Sequence, residues 1–253
     1  MLKIDLNCDI GESTSLRPYS IDYDISLLPY FSSINLACGY HAGDRDTIIQ
    51  LIKEATALNI SIGAHPSFAD RENFGRKEMF VEEKELYRII YEQIEFVASL
   101  ALSHGARLQH VKLHGALYNM AARDHRMAFI TCSAVQAYDE DLVIYGLAGS
   151  EIIKVADSMG MRSCNEVFAD RRYSDEGSLV PRSESNAVID DPVQALEQAR
   201  QMAIYRTVQS VSGKTIFLNT ETICIHSDGK YALKFAKTVN EALRQHGIII
   251  SHP

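Results

Sequence analysis

Short apolar segments alternate with longer stretches of helical periodicity along the whole chain, and this alternation limits the folds open to it. The strand-like segments are residues 2–8, 33–38, 60–65, 110–114, 142–146, 162–167 and 222–226. The helical stretches are residues 46–58, 82–104, 125–138, 150–159, 193–211 and 230–246. Strands that alternate regularly with helices predict a mostly parallel sheet. No linker-like run interrupts the pattern, so we expect a single α/β domain spanning residues 1–253.

The pattern within the strands favours a barrel over an open sheet. Strands of a doubly wound sheet are buried on both faces and usually read as continuous apolar runs. Here Asp5, Asn7 and Asp9 alternate with apolar residues in the first strand, and later strands repeat this alternation. A shared polar interior is explained by a closed, seven-stranded, TIM-like (β/α) barrel. Residues 214–219 and 247–251 are candidates for a further short strand.

Three long connections, at about residues 9–32, 66–81 and 168–192, each follow a strand. Long loops without regular structure are usually functional or disordered. In a (β/α) barrel, the loops that follow the strands also form the active site. We therefore expect the functional site at this end of the barrel.

Ionisable residues stand at the ends of nearly all the predicted strands. The catalytic candidates are Asp9, Glu12, His65, Lys112, His114 and Glu166, and the substrate-binding candidates are His41, Asp170, Arg171, Arg182 and His226. Arg17, Arg76 and Arg182, in the long loops, are weaker candidates than the others; Arg172 stands beside Arg171, and Asp228 follows the seventh strand. A lysine inside a barrel needs a carboxylate or a substrate oxygen as partner, and arginine binds carboxylates bidentately. A divalent metal bound by histidine and aspartate is compatible with these residue types, but their spacing does not establish one.

The composition limits which binding partners and which cellular compartment we expect. The 25 Lys and Arg against 33 Asp and Glu give a net charge of −8, which argues against nucleic-acid binding and against a polybasic membrane surface. The chain has no apolar run of the ~18–20 residues that a membrane helix needs. The five cysteines are scattered and form no CxxC pair, so we expect reduced thiols and a cytoplasmic protein.

The motifs resemble those of the LamB/YcsF family over nearly the whole chain. They are DLNCDIGE (5–12), NLACGYHAGD (35–44), GAHPSFAD (63–70), FGR (74–76), VKLHGALYN (111–119), EVFADRRY (166–173), GSLVPR (177–182) and ICIH (223–226). The resemblance implies a barrel of the glycoside hydrolase/deacetylase type. It also implies a part in the ATP-dependent opening of 5-oxo-L-proline to L-glutamate, a cyclic amide hydrolysis carried out with partner subunits B and C.

ATP, as Mg-ATP, is expected to be bound with or by the partner subunits. The segment Gly213-Lys214-Thr215 resembles the end of a P-loop, but Val208 stands where that motif needs glycine. Residue type and placement suggest Asp9 or Glu12 as general base and Lys112 as the partner of an oxyanion or phosphate. His65 and His114 would orient water or transfer protons, and Arg171 or Arg182 would bind the substrate carboxylate.

The sequence is also compatible with two other functions. One is a metal-dependent hydrolase that acts alone on an amide or an acetylated sugar. The other is a non-catalytic subunit that binds a small carboxylate and docks on a partner.

Overall fold

Seven parallel strands close into a barrel surrounded by helices. The computed structural model describes residues 2–15, 18, 20–227 and 231–253. The strands are β1 Lys3–Ile10, β2 Ser33–Ala37, β3 Ser61–His65, β4 His110–Lys112, β5 Val143–Leu147, β6 Ser163–Phe168, β7 Thr207–Gln209, β8 Thr215–Phe217, β9 Thr222–Cys224 and β10 Ile249–Ile250. The helices are α1 Ile21–Leu27, α2 Arg45–Ala57, α3 Glu83–Ser103, α4 Gly115–Arg123, α5 His125–Tyr138, α6 Glu151–Ser158, α7 Pro192–Tyr205 and α8 Ala232–Gln245.

The barrel runs β1-β2-β3-β4-β5-β6-β9 and closes when β9 pairs with both β6 and β1. In these pairs Thr222 lies opposite Glu166 on one side and opposite Asp5 on the other. The predicted TIM-like α/β barrel of seven strands is confirmed.

The two faces of the strands have different partners. Ile4 and Leu6 of β1 are buried in the apolar layer under the helices. The interior side chains hydrogen-bond to one another across strands: Asp5 accepts from Ser33 Oγ at 2.7 Å and from Thr222 Oγ1 at 2.6 Å. Buried polar groups need such partners, so the alternation in the sequence reflects a hydrogen-bonded polar interior.

The helix starts follow local capping chemistry. The Asp44 carboxylate accepts from the backbone N–H groups of Asp46 and Thr47 and begins α2. Asp191 caps α7 in the same way, and Pro192 occupies the first turn, where its missing N–H costs no hydrogen bond. Asp44 therefore acts as a helix cap.

Several predicted boundaries are wrong. The first long connection contains α1 and a 3₁₀ turn, Leu28–Tyr30. The segment after β4 contains α4, where no helix was predicted. The helix predicted to reach residue 211 ends at Tyr205, because Arg206 adopts a left-handed conformation with φ of 54°.

The two candidate extra strands lie outside the closed barrel. β8 forms an antiparallel hairpin with β7, and β10 adds to the first residues of β1. The predicted connection at 66–81 contains no helix and no strand, and the one at 168–192 contains none except its end residues, Phe168 in β6 and Pro192 in α7.

All five cysteines are buried and have free thiols. Among the described residues, no helix is both long enough and apolar enough to cross a membrane.

Candidate active site

A cavity of about 580 Å³ opens at the C-terminal ends of the barrel strands. Its lining includes Asp9 from β1, His65 from β3, Lys112 from β4 and Phe168 from β6. The loop between β6 and α7 supplies the opposite wall, which includes Arg182. Residues far apart in sequence meet here because parallel strands all end on the same side of the barrel.

Lys112 lies at the base of this cavity and is almost completely buried. Its Nζ is 2.9 Å from Asp9 Oδ1, 2.8 Å from Glu166 Oε1 and 3.1 Å from Asn7 Oδ1. The Sγ of Cys224 lies 3.1 Å away. An ammonium group has only three hydrogens, so these contacts engage all of them. Burial opposes the charge, but Asp9 and the other neighbours hold the pKa of Lys112 well above its ordinary value.

The two carboxylate oxygens of Asp9 face different partners. Oδ1 accepts from Lys112 and from Asn35 Nδ2, the latter at 2.8 Å. Oδ2 is turned towards His65, 3.4 Å from Nε2. Burial alone would raise the pKa of Asp9, but His65 and then Lys112 hold it well below its ordinary value. Asp9 is therefore an ionised carboxylate in a fixed orientation.

Four side chains, Asp9, Glu12, His65 and His114, converge next to Lys112, and we call them the imidazole–carboxylate cluster. His65 Nε2 and His114 Nδ1 are 2.9 Å apart. Glu12 Oε1 lies 3.0 Å from His114 Nδ1 and 3.7 Å from His65 Nε2. Burial opposes ionisation of Glu12, but His114 and His41 hold its pKa well below the ordinary value.

The far nitrogen of each cluster histidine contacts a backbone carbonyl. His65 Nδ1 donates to the oxygen of Lys112 at 2.7 Å, and His114 Nε2 donates to the oxygen of Phe74 at 2.9 Å. A carbonyl oxygen only accepts, so these contacts place a hydrogen on the far nitrogen of each ring. The orientation and tautomer of both rings are thereby fixed.

His41 lies behind the cluster. It is completely buried, stacks on His114 with ring centroids 3.9 Å apart, and has Nε2 3.0 Å from Glu12 Oε1. Burial, with repulsion from His114, lowers the pKa of His41 to about 3, so the ring is neutral. We conclude that Nε2–H donates to Glu12 and holds that carboxylate in place.

The backbone of residues 74–75 supports the same cluster. Phe74 and Gly75 both have positive φ, 56° and 63°, which aims the Phe74 carbonyl at His114. A Cβ at position 75 would lie 2.2 Å from Ser67 Oγ and 3.0 Å from carbons of both His41 and His114. Only glycine fits this approach.

The opposite wall carries basic groups. Arg182 Nη2 donates to His226 Nε2 at 2.9 Å, and His226 Nδ1 donates to Asp170 Oδ2 at 2.7 Å. Arg171 is buried and donates to the carbonyl oxygens of Val180 and Ala187. Burial and the nearby Arg182 lower the pKa of Arg171 to about 10, so its guanidinium is charged at neutral pH.

Tyr118 of α4 is a cavity residue that sequence reasoning missed. Neither its hydroxyl nor Glu166 Oε2 has a well-formed hydrogen bond to a described residue. Burial and then Glu166 raise the pKa of Tyr118 well above its ordinary value, so the hydroxyl stays protonated. Tyr118 belongs to the motif at residues 111–119, but the direction of its side chain depends on α4, a helix that was not predicted.

The structure brings most of the predicted site residues to one cavity. Those in its lining are Asp9, Glu12, His65, Lys112, His114, Arg171, Arg182 and His226, together with the weaker candidate Arg76. His41, Glu166 and Asp170 lie behind the lining and contact residues in it. Arg172 donates instead to Gln194 on the exposed side. Arg17 and Asp228 lie outside the described residues.

Three groups of side chains have donor atoms close enough together to hold a metal ion. They are Asp9, His65 and His114; Glu12, His41 and His114; and Asp9, Cys224 and His226. In the second group His41 uses Nε2 to hold Glu12, and in the third the nitrogens of His226 contact Asp170 and Arg182. The first group, joined by Glu12, is therefore the strongest candidate.

Comparison with known proteins places the chain in a family. A model of the LamB/YcsF family matches residues 4–253. A protein of Bordetella parapertussis, named as the A subunit of 5-oxoprolinase, is 45% identical over 247 residues, covering 98% of this chain and 97% of that protein.

Solved structures agree with the fold. The lactam utilization protein of Thermus thermophilus superposes with a TM-score of 0.90 at 36% identity, over 99% of both chains. A family 4 carbohydrate esterase of Streptomyces lividans has a TM-score of 0.52 at 10% identity, over 99% of this chain and 92% of the esterase. The esterase therefore shares the barrel fold alone.

Proposed function

The chain belongs to the LamB/YcsF family, and from that premise we propose that it is the A subunit of an ATP-dependent 5-oxoprolinase. It would open 5-oxo-L-proline to L-glutamate with partner subunits B and C, which would bind ATP. The observation that carries this proposal is the cavity itself. It combines ionised carboxylates, fixed imidazoles and a buried guanidinium in a chain closely similar to proteins named as 5-oxoprolinase A subunits.

A five-membered lactam resists hydrolysis because its ring closure is intramolecular and entropically favoured. Transfer of the γ-phosphoryl group of ATP to the lactam oxygen would release ADP and activate the ring carbon. Water would add to that carbon, the C–N bond would break with a proton delivered to nitrogen, and a second water would release phosphate. The barrel would have to bind a carboxylate, deprotonate water and stabilise negative charge.

Three parts of the cavity match these requirements. Arg171, charged and without a carboxylate in contact among the described residues, would bind the substrate carboxylate. Asp9 or Glu12 would accept the proton of water; the lowered pKa of each carboxyl keeps it ionised and ready to accept, although it also makes it a weak base. The Tyr118 hydroxyl, protonated and buried, would donate to the developing oxyanion.

Lys112 has its hydrogens engaged, so we assign it to hold Asp9 and Glu166 in place. The direct oxyanion contact expected from the sequence would require one of these contacts to break.

The test is glutamate release from 5-oxo-L-proline with Mg-ATP, using folded subunits B and C that hydrolyse ATP, with and without this chain. We expect glutamate only when the chain is present. Tyr118→Phe should lower kcat about 100-fold or more, as loss of one oxyanion donor does elsewhere. Glu197→Gln on the exposed face of α7 is the matched control and should be unchanged. No glutamate with the complete set of subunits would refute the proposal.

The imidazole–carboxylate cluster also favours a second candidate, a metal-dependent hydrolase that acts alone on an amide. That function would give hydrolysis without ATP or partners, sensitive to chelators. The same assay without ATP separates the two candidates.

A further inference from the structure

The contact between the two cluster histidines needs a positive charge between them. Their far nitrogens carry hydrogens, because each contacts a backbone carbonyl. In the neutral rings, His65 Nε2 and His114 Nδ1 therefore both present lone pairs, 2.9 Å apart. Two lone pairs at that distance repel each other unless a proton or a metal ion lies between them.

Two carboxylate oxygens face the same point. Asp9 Oδ2 is 3.4 Å from His65 Nε2, and Glu12 Oε1 is 3.0 Å from His114 Nδ1. The nitrogen and oxygen contacts within the imidazole–carboxylate cluster thus span 2.9 to 3.7 Å. A tetrahedral ion with ligand bonds of about 2.0–2.1 Å has donors about 3.3 Å apart. Four of the six donor–donor distances are therefore close to what such an ion requires, and the donors of Asp9, His65 and His114 all lie within 4.8 Å of one another.

The surroundings of the cluster are also those of a metal site. Histidine ligands of metals usually donate the other ring N–H to a carbonyl or carboxylate, as both His65 and His114 do. His41 donates to Glu12, and Lys112 binds the Asp9 oxygen that faces away from the cluster. The single ammonium of Lys112 contacts two carboxylates, Asp9 and Glu166, and therefore does not neutralise both. Binding a further cation nearby is electrostatically favourable.

We propose that Asp9, Glu12, His65 and His114 bind one divalent transition-metal ion per chain, of the Zn²⁺ class. Two imidazoles with carboxylates suit Zn²⁺, whereas Mg²⁺ and Ca²⁺ prefer oxygen ligands alone. The alternative is a single proton shared by the two rings. The proposal does not depend on the substrate, because binding is measured without turnover.

The test uses the full-length chain without a histidine tag, stripped of metal by a chelator and dialysed. Zn²⁺ affinity is measured by competition with a coloured chelator, and the visible spectrum is recorded with Co²⁺ alone. We expect one equivalent bound with micromolar or tighter affinity, strong four-coordinate Co²⁺ bands and no thiolate charge-transfer band. If neither Zn²⁺ nor Co²⁺ binds at micromolar concentration, the proposal is overturned.

Variants locate the site. His65→Gln and His114→Gln should each weaken Zn²⁺ binding about 100-fold or more, beyond the ~10–100-fold that loss of a supporting residue such as His41 produces. His226→Ala is the matched control, because His226 belongs only to the alternative group with Asp9 and Cys224. Binding that survives both cluster variants, or that is lost equally in His226→Ala, would overturn the assignment. The Co²⁺ spectrum of the unmodified chain decides the ligand type even if a variant fails to fold.

Discussion

Replacing Lys112 by methionine isolates the charge at the base of the cavity. Methionine keeps most of the apolar length of the side chain but removes the ammonium. Asp9 and Glu166 would then be left buried without it, their side chains 7% and 0% exposed. Breaking a buried ion pair by removing one partner costs about 3–5 kcal/mol. We expect Lys112→Met to lower the free energy of unfolding by at least that amount, because two carboxylates lose one partner.

Urea denaturation followed by circular dichroism measures this loss, and a double-mutant cycle tests its cause. Glu166→Gln removes one of the stranded charges, so the double variant should be more stable than the sum of the single changes predicts. The matched control is Lys154→Met, whose pair with Glu151 is exposed and should change stability by only about 0.5 kcal/mol. A loss below about 1 kcal/mol for Lys112→Met, or strictly additive changes in the cycle, would refute this reasoning.

Three further predictions concern residues around the site. Burial, against a hydrogen bond from Gly11, raises the pKa of Asp24 from 3.8 to about 7. The folded chain therefore keeps this proton up to a higher pH than the unfolded chain does. The free energy of unfolding falls as the pH rises from 3.8 to about 7. Between pH 5 and 8 the wild type should lose about 2–3 kcal/mol relative to Asp24→Asn, measured by urea denaturation at each pH, and a flat difference would contradict this. Gly75→Ala should lower the melting temperature more than Gly149→Ala does; both have positive φ, but only the first Cβ meets other atoms. Equal shifts would show that crowding is unimportant there. Arg171→Lys should raise KM for the lactam about 10-fold with a smaller change in kcat, since lysine lacks the planar fork; an unchanged KM would remove Arg171 from substrate binding.

The barrel was predictable because its interior is polar. The alternation of Asp5, Asn7 and Asp9 with apolar residues can be read from the sequence alone. These polar side chains can lie inside the barrel because each one hydrogen-bonds to a residue of another strand. The end of α7 was not predictable, because it depends on a left-handed Arg206 where the usual glycine is absent.

Which residues line the candidate site was partly predictable, whereas their arrangement within it was not. Placement after strands identified His65 and His114, because strand ends converge in any such barrel. The hydrogens on those rings are set by the carbonyls of Lys112 and Phe74, which only the folded chain brings near. His41 lies behind the cavity for a similar reason, since its position follows from stacking on His114.

The closing pair of strands also has a consequence for biosynthesis. β1 is made first, but one of its edges stays unpaired until β9 has emerged from the ribosome, some 215 residues later, since Asp5 pairs with Thr222. Contacts so distant in sequence form slowly, and a chain is made from its N-terminus onwards. A nascent chain that has not reached β9 holds Asp5 and Asn7 without the Thr222 hydroxyl that both contact. The barrel therefore cannot close before β9 is made, and we expect chains truncated before β9 to be substrates for chaperones and proteases.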